Sequence, residues 1–546
     1  MGGDRSGRRR RAFSSLAGNT ALLRVLAAYL LFILTEYAVW IAMLVFAYNR
    51  GGTAVAGLVA VAQLAPAAVV APVAASLADR RSPVVMLAGG YLAQVAGMAG
   101  TAAAIGAGAP LAAYAAAVVA STAVTATRPA QSALIPSLAA TPDQLTAANV
   151  VAGWLEAAGA AAAGLLVGVL ISLAGVGSVF AVCAGLGLAA ALLVTGLRAQ
   201  PLAAAGADAD ADANTAGIAE GLRLAVRQPR LRLMLALLTA DAVVVGALDL
   251  LVVILALTVL GRPPGWAGYL EFAFGAGAVL AATVSAVLVG RRLGGPILAA
   301  ALGFSGALAA VAFGPGLAGT VILLAVAGAG HCLLTVATRT LLQRSVPPRL
   351  IGRIFGVLEG FTMAGLAVGA LLVPGLAHLG GSRLAVLGVA AVLPLAAVAG
   401  GRAVFRLDAG TAVPVVEIAL LRSLPLFAEL PAPAIEGLAA ALRPVRLEAG
   451  AVLIRQGDPG DAYFAIAAGE LDAEQDGHFL GRYGRGDGVG EIALLRAVPR
   501  TATVTAHTAA TVYQLDRDLF LTAVLGHAPT RRQAEGIAAT RLATGR

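Results

Sequence analysis

The sequence predicts an all-α membrane domain of twelve transmembrane helices in two six-helix repeats, followed by a C-terminal β-roll with flanking helices. Three observations support this fold class. The 546-residue chain is 59% hydrophobic and 12% charged, where an ordinary soluble chain has roughly 25% charged residues. Apolar runs of membrane-crossing length recur along it. After about residue 411 the pattern changes to short alternating segments between Gly and Asp turns, which indicates a soluble domain.

The transmembrane prediction follows from the length of the apolar runs. A helix needs roughly 20 apolar residues to cross a bilayer. Twelve candidate spans lie near residues 22–48, 54–77, 83–105, 110–133, 147–172, 176–197, 231–260, 266–289, 295–314, 317–341, 353–376 and 383–401.

These spans define six segments of the chain. They are a cytoplasmic N-terminal tail (1–21), an N-terminal six-helix half (22–197), a central cytoplasmic loop (198–230), a C-terminal six-helix half (231–403), a linker (404–424) and a C-terminal domain (425–546).

The distribution of arginines predicts the orientation. The central loop and the loop around residues 344–353 are rich in Arg, whereas the opposite loops hold little beyond Arg50, Arg262 and Arg383. Because positively charged loops stay in the cytoplasm, we expect a multi-pass protein of the plasma (inner) membrane with both termini cytoplasmic. This orientation also explains the net charge of +9, so no nucleic-acid partner is expected.

An internal repeat supports the division into halves. Arg80-Arg81 recurs as Arg291-Arg292, and Ala126-Thr127-Arg128 recurs as Ala337-Thr338-Arg339, each pair 211 residues apart. Two homologous halves with the same orientation are therefore predicted.

Two motifs in the first half resemble those of a transporter family. Residues 77–83 read Leu-Ala-Asp-Arg-Arg-Ser-Pro, and the fourth span ends with Arg128-Pro-Ala-Gln131. They resemble the signature loop and the span-four Arg-x-x-Gln element of the major facilitator superfamily, over about residues 20–403. The sequence from Arg128 to Asn149 is similar to that of the drug and siderophore exporter branch of this superfamily. The resemblance implies a secondary transporter that exports small amphipathic molecules. In span five, Leu165 replaces the Pro of the antiporter motif.

Ionisable residues within the spans are candidates for the transport pathway or for proton coupling. Each costs roughly 2.5–3.5 kcal/mol at a helix centre and tends to be kept for a use. The candidates are Glu36, Arg128, Glu156, Asp241, Asp249 and Glu359, with Glu36 and Asp249 preferred. The alternative is that several of them pair with Arg as structural locks. A lock is favoured for the loop residues Asp79, Arg80, Arg81, Arg291 and Arg292.

The C-terminal part of the sequence resembles a second family. Residues 486–495 read Gly-Asp-Gly-Val-Gly-Glu-Ile-Ala-Leu-Leu, followed by Pro499-Arg-Thr-Ala502. This pattern resembles the phosphate-binding cassette of cyclic nucleotide-binding domains, as in the cAMP-dependent kinase regulatory subunits and the bacterial catabolite activator. The resemblance covers about residues 425–527.

The residue types suit a cyclic nucleotide. Arg500 can hold the phosphate with two parallel hydrogen bonds, and Gly490 lets the backbone approach closely. By resemblance, Glu491 accepts a hydrogen bond from the ribose 2′-hydroxyl. In the family, a Thr at the position of Thr501 tends to accompany binding of cGMP. It does not exclude cAMP, so both nucleotides are candidate ligands. The predicted binding residues are Gly490, Glu491, Ile492, Ala493, Arg500, Thr501 and Ala502.

Together these features predict a secondary active transporter regulated by cAMP or cGMP. The alternative is a membrane-anchored cyclic nucleotide receptor whose transporter body no longer moves solute. The expected partners are the lipid bilayer, a cyclic nucleotide, a small-molecule substrate and, as a possible coupling ion, the proton. The five histidines are scattered without a nucleophile, base and acid set, so no enzyme is expected. Cys183 and Cys332 lie in apolar runs, so no metal site or cofactor is expected either.

Overall fold

The fold was analysed in a computed structural model. It describes residues 16–80, 82–139, 142–197, 228–284, 293–345, 351–410, 415–427 and 432–525, with 430, 530, 533–537 and 539. The described residues form two compact units, one ending at Gly410 and the other beginning at Val415. The predicted linker 404–424 is therefore divided between the two units.

The first unit is helical. Its helices are α1 (Thr20–Arg80), α2 (Pro83–Gly106), α3 (Pro110–Leu138), α4 (Pro142–Ala174), α5 (Val176–Val194), α6 (Pro229–Ile254, extended by a π-helical turn Leu255–Val259), α7 (Trp266–Val284), α8 (Gly294–Val311), α9 (Gly316–Ser345) and α10 (Ile351–Gly410). We call α1–α5 the first helix group and α6–α10 the second helix group. Within the described residues, eight helices are long and apolar enough to cross a membrane.

Two of these helices are about twice the length of a single crossing. The apolar parts of α1 and α10 run over Thr20–Pro66 and Ile354–Ala399, which are 47 and 46 residues long. Each contains a Gly-Gly junction with non-helical backbone angles: Gly52 has φ 65° and ψ −157°, and Gly381 has φ 72° and ψ −172°. A positive φ of this kind is readily adopted only by glycine. Each long helix therefore consists of two helical segments joined at glycines.

Apolar side chains cover both the inside and the outside of the first unit. Its largest core cluster joins residues of both helix groups, such as Ala163 and Val167 of α4 with Leu270 of α7. On the outside, large apolar side chains such as Leu111 and Val398 are 80% and 82% exposed. A soluble protein rarely exposes so many large apolar side chains, so the outer surface is suited to lipid.

Glycines allow α4 and α7 to approach closely. A Cβ placed on Gly164 would lie 2.7 Å from the backbone nitrogen of Phe272, and a Cβ on Gly268 would meet the backbone of Gly164 and Gly168. Small residues at such a crossing let two membrane helices pack backbone against backbone. This contact joins the two helix groups.

The second unit contains two antiparallel four-stranded sheets with flanking helices. The first sheet has the order β1-β8-β3-β6 and the second has the order β2-β7-β4-β5. In chain order the elements are α11 (Val415–Ser423), α12 (Ala432–Ala441), β1 (Arg443–Leu447), β2 (Val452–Ile454), β3 (Ala462–Ala468), β4 (Leu471–Gln475), β5 (His478–Tyr483), β6 (Gly488–Val489), α13 (Glu491–Arg496), β7 (Thr503–Ala506), β8 (Ala510–Asp516) and α14 (Arg517–Leu525).

The helices of the second unit pack on the first sheet. One buried cluster contains Leu421 of α11, Phe427 after that helix, Tyr463 of β3 and Phe520 of α14. The Tyr463 and Phe520 rings stack with centroids 4.9 Å apart. Because Leu421 belongs to this core, α11 is part of the second unit, although it precedes the predicted domain boundary at residue 425.

A cross-strand ion pair fixes the β4–β5 hairpin. Asp472 and Arg482 are opposite each other in the register, and Arg482 Nε donates to Asp472 Oδ1 at 2.7 Å. The hydrogen bond from the guanidinium lowers the pKa of the Asp472 carboxyl from its usual value. This pair therefore belongs to the architecture of the hairpin rather than to the predicted binding residues.

Several predicted residues fall outside the described part of the chain. Arg81, Arg291 and Arg292 are among them, and the side chains of Asp79 and Arg80 are not described either. Most of the N-terminal tail and of the central loop also lie outside the described residues. The proposed conformational lock stays a prediction.

The α4–α7 contact leads to a first testable prediction. Gly268→Ala should lower the thermal midpoint of the detergent-solubilised protein, because the added methyl group overpacks the crossing at a cost of about 1–3 kcal/mol. Gly89→Ala is the matched control, since a Cβ there meets no described atom within 4 Å. Equal thermal midpoints for the two variants would contradict the close contact.

Candidate functional site

A buried arginine forms the centre of the candidate site in the second unit. Only 4% of the Arg500 side chain is exposed. Its Nη1 donates to the Gly490 carbonyl at 3.1 Å, and its Nη2 donates to the Ala462 carbonyl at 2.8 Å and to Asp461 Oδ1 at 3.0 Å. A buried charge is tolerated when it is paired and hydrogen-bonded. These partners hold the guanidinium in one orientation.

Backbone hydrogen bonds position the Arg500 segment itself. The Arg500 amide donates to the Asp458 carbonyl at 2.8 Å, and the Gly457 amide donates to the Arg500 carbonyl at 2.8 Å. Gly457 has φ 90°, in the region that favours glycine. The turn between β2 and β3, which the sequence indicates through its Gly and Asp residues, therefore fixes the arginine from one side.

Gly490 brings a second segment against the guanidinium. It has φ 96° and immediately precedes α13. A Cβ at this position would lie 2.5 Å from Arg500 Nη1 and 3.1 Å from the Ala462 carbonyl oxygen. Gly490 is therefore required both by its backbone conformation and by the space that the arginine occupies.

The other predicted binding residues lie in the same two segments. Glu491 is 2% exposed at the start of α13, and Ala493 is buried in the same helix. Ile492, Thr501 and Ala502 are half-buried. The structure thus places a carboxylate and a cation on neighbouring segments that meet at Gly490. Such a pair can bind a ligand that offers both an anion and a hydroxyl group.

A charge cluster lies in the first helix group. Arg128 Nη2 contacts both carboxylate oxygens of Glu36, at 2.8 and 3.0 Å, and Arg128 Nη1 lies 3.5 Å from Glu156 Oε1. The guanidinium carbon lies 5.8 Å from the centroid of the Phe32 ring. Three of the six predicted transport residues therefore form one ion-pair cluster between α1, α3 and α4.

A second polar cluster lies in the second helix group. His331 Nδ1 lies 3.0 Å from Asp241 Oδ1, and the Thr335 hydroxyl donates to Asp241 Oδ2 at 3.2 Å. Further along α6, Asp249 Oδ2 accepts a hydrogen bond of 2.9 Å from the Trp40 indole of α1. Glu359, a further predicted transport residue, is exposed on α10.

Comparison with protein families identifies the helical unit. A sequence profile described as Major Facilitator Superfamily matches residues 25–358, which is more than half of the chain. The chain belongs to this superfamily. The superfamily domain contains both polar clusters described above, and with its apolar helices it makes the chain a multi-pass membrane protein.

The second unit matches a different profile. The profile described as Cyclic nucleotide-binding domain covers residues 444–527. It includes the β2–β3 turn, Gly490, α13 and Arg500. The chain is therefore a superfamily transporter domain fused to a C-terminal cyclic nucleotide-binding domain.

Individual proteins resemble only part of the chain. An uncharacterised protein of Mycobacterium tuberculosis is 41% identical over 100 residues, which are 18% of this chain and 20% of that protein. The cAMP-dependent protein kinase regulatory subunit of Aspergillus niger is 39% identical over 104 residues, which are 19% of this chain and 25% of that subunit. The chain therefore spans a quarter or less of these relatives' length.

One of the similar solved structures is the regulatory domain of Toxoplasma gondii PKA with cAMP. It has 27% sequence identity and a TM-score of 0.23, and the match covers 26% of this chain and 56% of that chain.

Four residues of the observed clusters are not among the predicted site residues: Asp461, His331, Thr335 and Trp40. Trp40 lies four residues after Glu36, and Thr335 lies four residues after His331. This spacing places the members of each pair on one helix face. The spacing could have indicated the faces, but the partners on other helices are not visible in a single sequence.

The double requirement at Gly490 gives a second prediction. Gly490→Ala should destabilise the fragment 412–546 by about 1–3 kcal/mol, because alanine is strained at φ 96° and its Cβ meets Arg500. Gly437→Ala is the matched control, because Gly437 lies within α12 and a Cβ added there meets no described atom within 4 Å. Alanine should stabilise the helix at this position by up to about 1 kcal/mol.

Urea denaturation measures both variants. The fragment contains two core clusters of the second unit, whose residues begin at Ile418, so it is expected to fold alone. A Gly490→Ala fragment as stable as the unaltered fragment would contradict the geometry of the Gly490–Arg500 contact.

Proposed function

We propose that this protein is a secondary active transporter whose activity is controlled by a cyclic nucleotide bound to its C-terminal domain. The observation that carries the proposal is the Arg500 guanidinium, which is buried and oriented beside Gly490 and Glu491 within a cyclic nucleotide-binding domain. The same chain carries a superfamily transporter domain. We propose no enzymatic reaction, since domains of these two kinds are typically not catalytic.

The nucleotide-binding part of the proposal rests on matching chemistry. A cyclic nucleotide offers one anionic phosphate and a free ribose 2′-hydroxyl. Arg500 supplies the cation, and Glu491 supplies a carboxylate acceptor for the hydroxyl. The Asp461 side chain is 81% exposed, so solvent screens its attraction to Arg500 and a phosphate can compete for the guanidinium. The Aspergillus niger relative is named as cAMP-dependent, which supports a cyclic nucleotide as ligand.

The transport part of the proposal specifies twelve spans in two six-helix halves. The Gly-Gly junctions in α1 and α10 support it, since each would turn one long helix into two crossings. We further propose that the protein lies in the plasma membrane with both termini in the cytoplasm, and that it exports small amphipathic molecules. In this proposal Asp79, Arg80, Arg81, Arg291 and Arg292 form a lock between conformations.

Regulation requires that the nucleotide distinguishes two conformations of the transporter. A ligand shifts a conformational equilibrium only by its difference in affinity for the two states. Residues 411–414 connect α10 of the transporter domain to α11 of the nucleotide-binding unit. We propose that the signal passes through this connection.

Calorimetric titration of fragment 412–546 with cAMP and with cGMP tests the binding site. We expect micromolar binding of at least one nucleotide. Arg500→Lys should weaken it by roughly tenfold or more, because lysine keeps the charge but cannot make two parallel hydrogen bonds to the phosphate. Arg496→Lys, at the exposed end of α13, is the matched control and should leave the affinity unchanged.

Circular dichroism is the folding control for each fragment. If the folded fragment gives no heat with either nucleotide, the proposed ligand is wrong. If Arg500→Lys and Arg496→Lys bind as tightly as the unaltered fragment, the role of Arg500 is wrong.

A further inference from the structure

The turn between β2 and β3, which fixes the Arg500 segment, is itself bonded to the tip of another hairpin. Gln456 lies in this turn and Asp476 lies between β4 and β5, and neither is among the predicted binding residues. We propose that Gln456 and Asp476, here called the Gln456–Asp476 clasp, are positioning residues that set the affinity of the site for a cyclic nucleotide. The inference rests on the proposed function and deepens it, because it adds a second place in the fold from which that affinity is controlled.

Two hydrogen bonds of opposite direction form the clasp. The side-chain amide of Gln456 donates from Nε2 to Asp476 Oδ1 at 2.8 Å, and its Oε1 accepts from the backbone amide of Asp476 at 3.0 Å. Because a backbone N–H can only donate, one orientation of the Gln456 amide satisfies both contacts. The clasp therefore fixes the orientation of the Gln456 side chain as well as its distance from the hairpin.

The hairpin tip is a stable support for the clasp. Asp476 and Gly477 form the two-residue connection between β4 and β5, with φ values of 51° and 79°. A type I′ turn requires a positive φ at both positions, and Asp-Gly is one of the sequences that adopt it most readily. Further along the same hairpin, the ion pair between Asp472 and Arg482 joins the two strands. The hairpin therefore fixes the position of the Asp476 amide and carboxylate.

The backbone connects the clasp to the arginine. The amide of Gln456 donates to the Thr503 hydroxyl at 3.0 Å, at the start of β7. The next amide, that of Gly457, donates to the Arg500 carbonyl, and the Asp458 carbonyl accepts from the Arg500 amide, both at 2.8 Å. Three consecutive residues of the turn thus bond to the arginine and to the strand that follows it. A shift of the turn therefore displaces the arginine.

The turn needs this support because it is exposed to solvent. Gln456, Gly457 and Asp458 are all exposed, and Gly457, at φ 90°, has a backbone freedom that other residues lack. A turn that moves before the ligand binds must be ordered when it binds, and this ordering lowers the affinity. The clasp orders the turn in advance. Its loss should therefore weaken nucleotide binding even in a protein that remains folded.

Calorimetric titration of the full-length protein in detergent with cAMP and with cGMP measures this effect. Gln456→Glu should weaken the affinity roughly fivefold, because a carboxylate replaces the amide that donates to Asp476. Adding Asp476→Asn should restore the affinity, since the asparagine amide can donate to the new carboxylate and Asn-Gly also suits a type I′ turn. Gln475→Glu, at the end of β4, is the matched control for the change of charge and should leave the affinity unchanged.

Hydrogen-exchange mass spectrometry of the same proteins without nucleotide tests the position of the arginine segment. In Gln456→Glu, peptides that contain Gly457 or Arg500 should exchange faster, and the double variant should restore the slower rate. Peptides from β3, whose Ile466 amide donates to the Asp487 carbonyl at 2.9 Å, should exchange at the same rate in both variants. A general loss of stability would accelerate exchange in β3 as well, so β3 separates positioning from destabilisation.

Several results would overturn the proposal. Gln456→Glu could bind nucleotide as tightly as the unaltered protein, or Asp476→Asn could fail to restore the affinity that Gln456→Glu loses. Exchange at Arg500 could be unchanged in Gln456→Glu, or it could accelerate together with exchange in β3. If the unaltered protein binds neither nucleotide, the proposed function fails, while the exchange rates still decide whether the clasp positions the arginine segment.

Discussion

Both units of this chain depend on one electrostatic constraint: a charged side chain removed from bulk water needs a partner at hydrogen-bond distance. In the nucleotide-binding unit, two carbonyl groups and Asp461 hold Arg500 in place. In the transporter domain, Glu36 contacts Arg128, and Asp241 contacts His331. The proposed nucleotide site uses one of these positions, because the Arg500 guanidinium is already oriented there.

Glycine supplies the space that these arrangements require. Gly490 lets the start of α13 approach Arg500, and Gly268 lets α7 approach α4. The first contact helps to orient the Arg500 guanidinium, and the second joins the two helix groups of the transporter domain. Glycine thus serves the ligand site in one unit and helix packing in the other.

The large features of this protein are predictable from its sequence. The fusion of a transporter domain with a cyclic nucleotide-binding domain is confirmed by the two family profiles. It was predictable because the composition changes between the two parts and because each part carries local motifs. Arg500 and Gly490 belong to such a motif, and their contact follows from a short separation in the chain.

The partners of the buried charges could not be predicted in the same way. His331 lies 90 residues from Asp241, and Trp40 lies 209 residues from Asp249. Helical spacing shows which residues share a face, but it does not show which other helix that face contacts. The start of the second unit could not be predicted for the same reason. The apolar spacing of α11 predicts a helix, but it does not indicate that Leu421 packs against Tyr463.

The central claim is that nucleotide binding and the conformation of the transporter are linked, and such linkage must act in both directions. Gly268→Leu prevents the α4–α7 contact, since a Cβ on Gly268 already meets the backbone of Gly164 and Gly168. The direct measurement is the cyclic nucleotide affinity of the full-length protein in two forms, unaltered and Gly268→Leu, with Gly89→Leu as the control variant. The account predicts affinities that differ by about fivefold or more. Equal affinities in the two forms would contradict it and would leave a nucleotide receptor attached to an unregulated membrane domain.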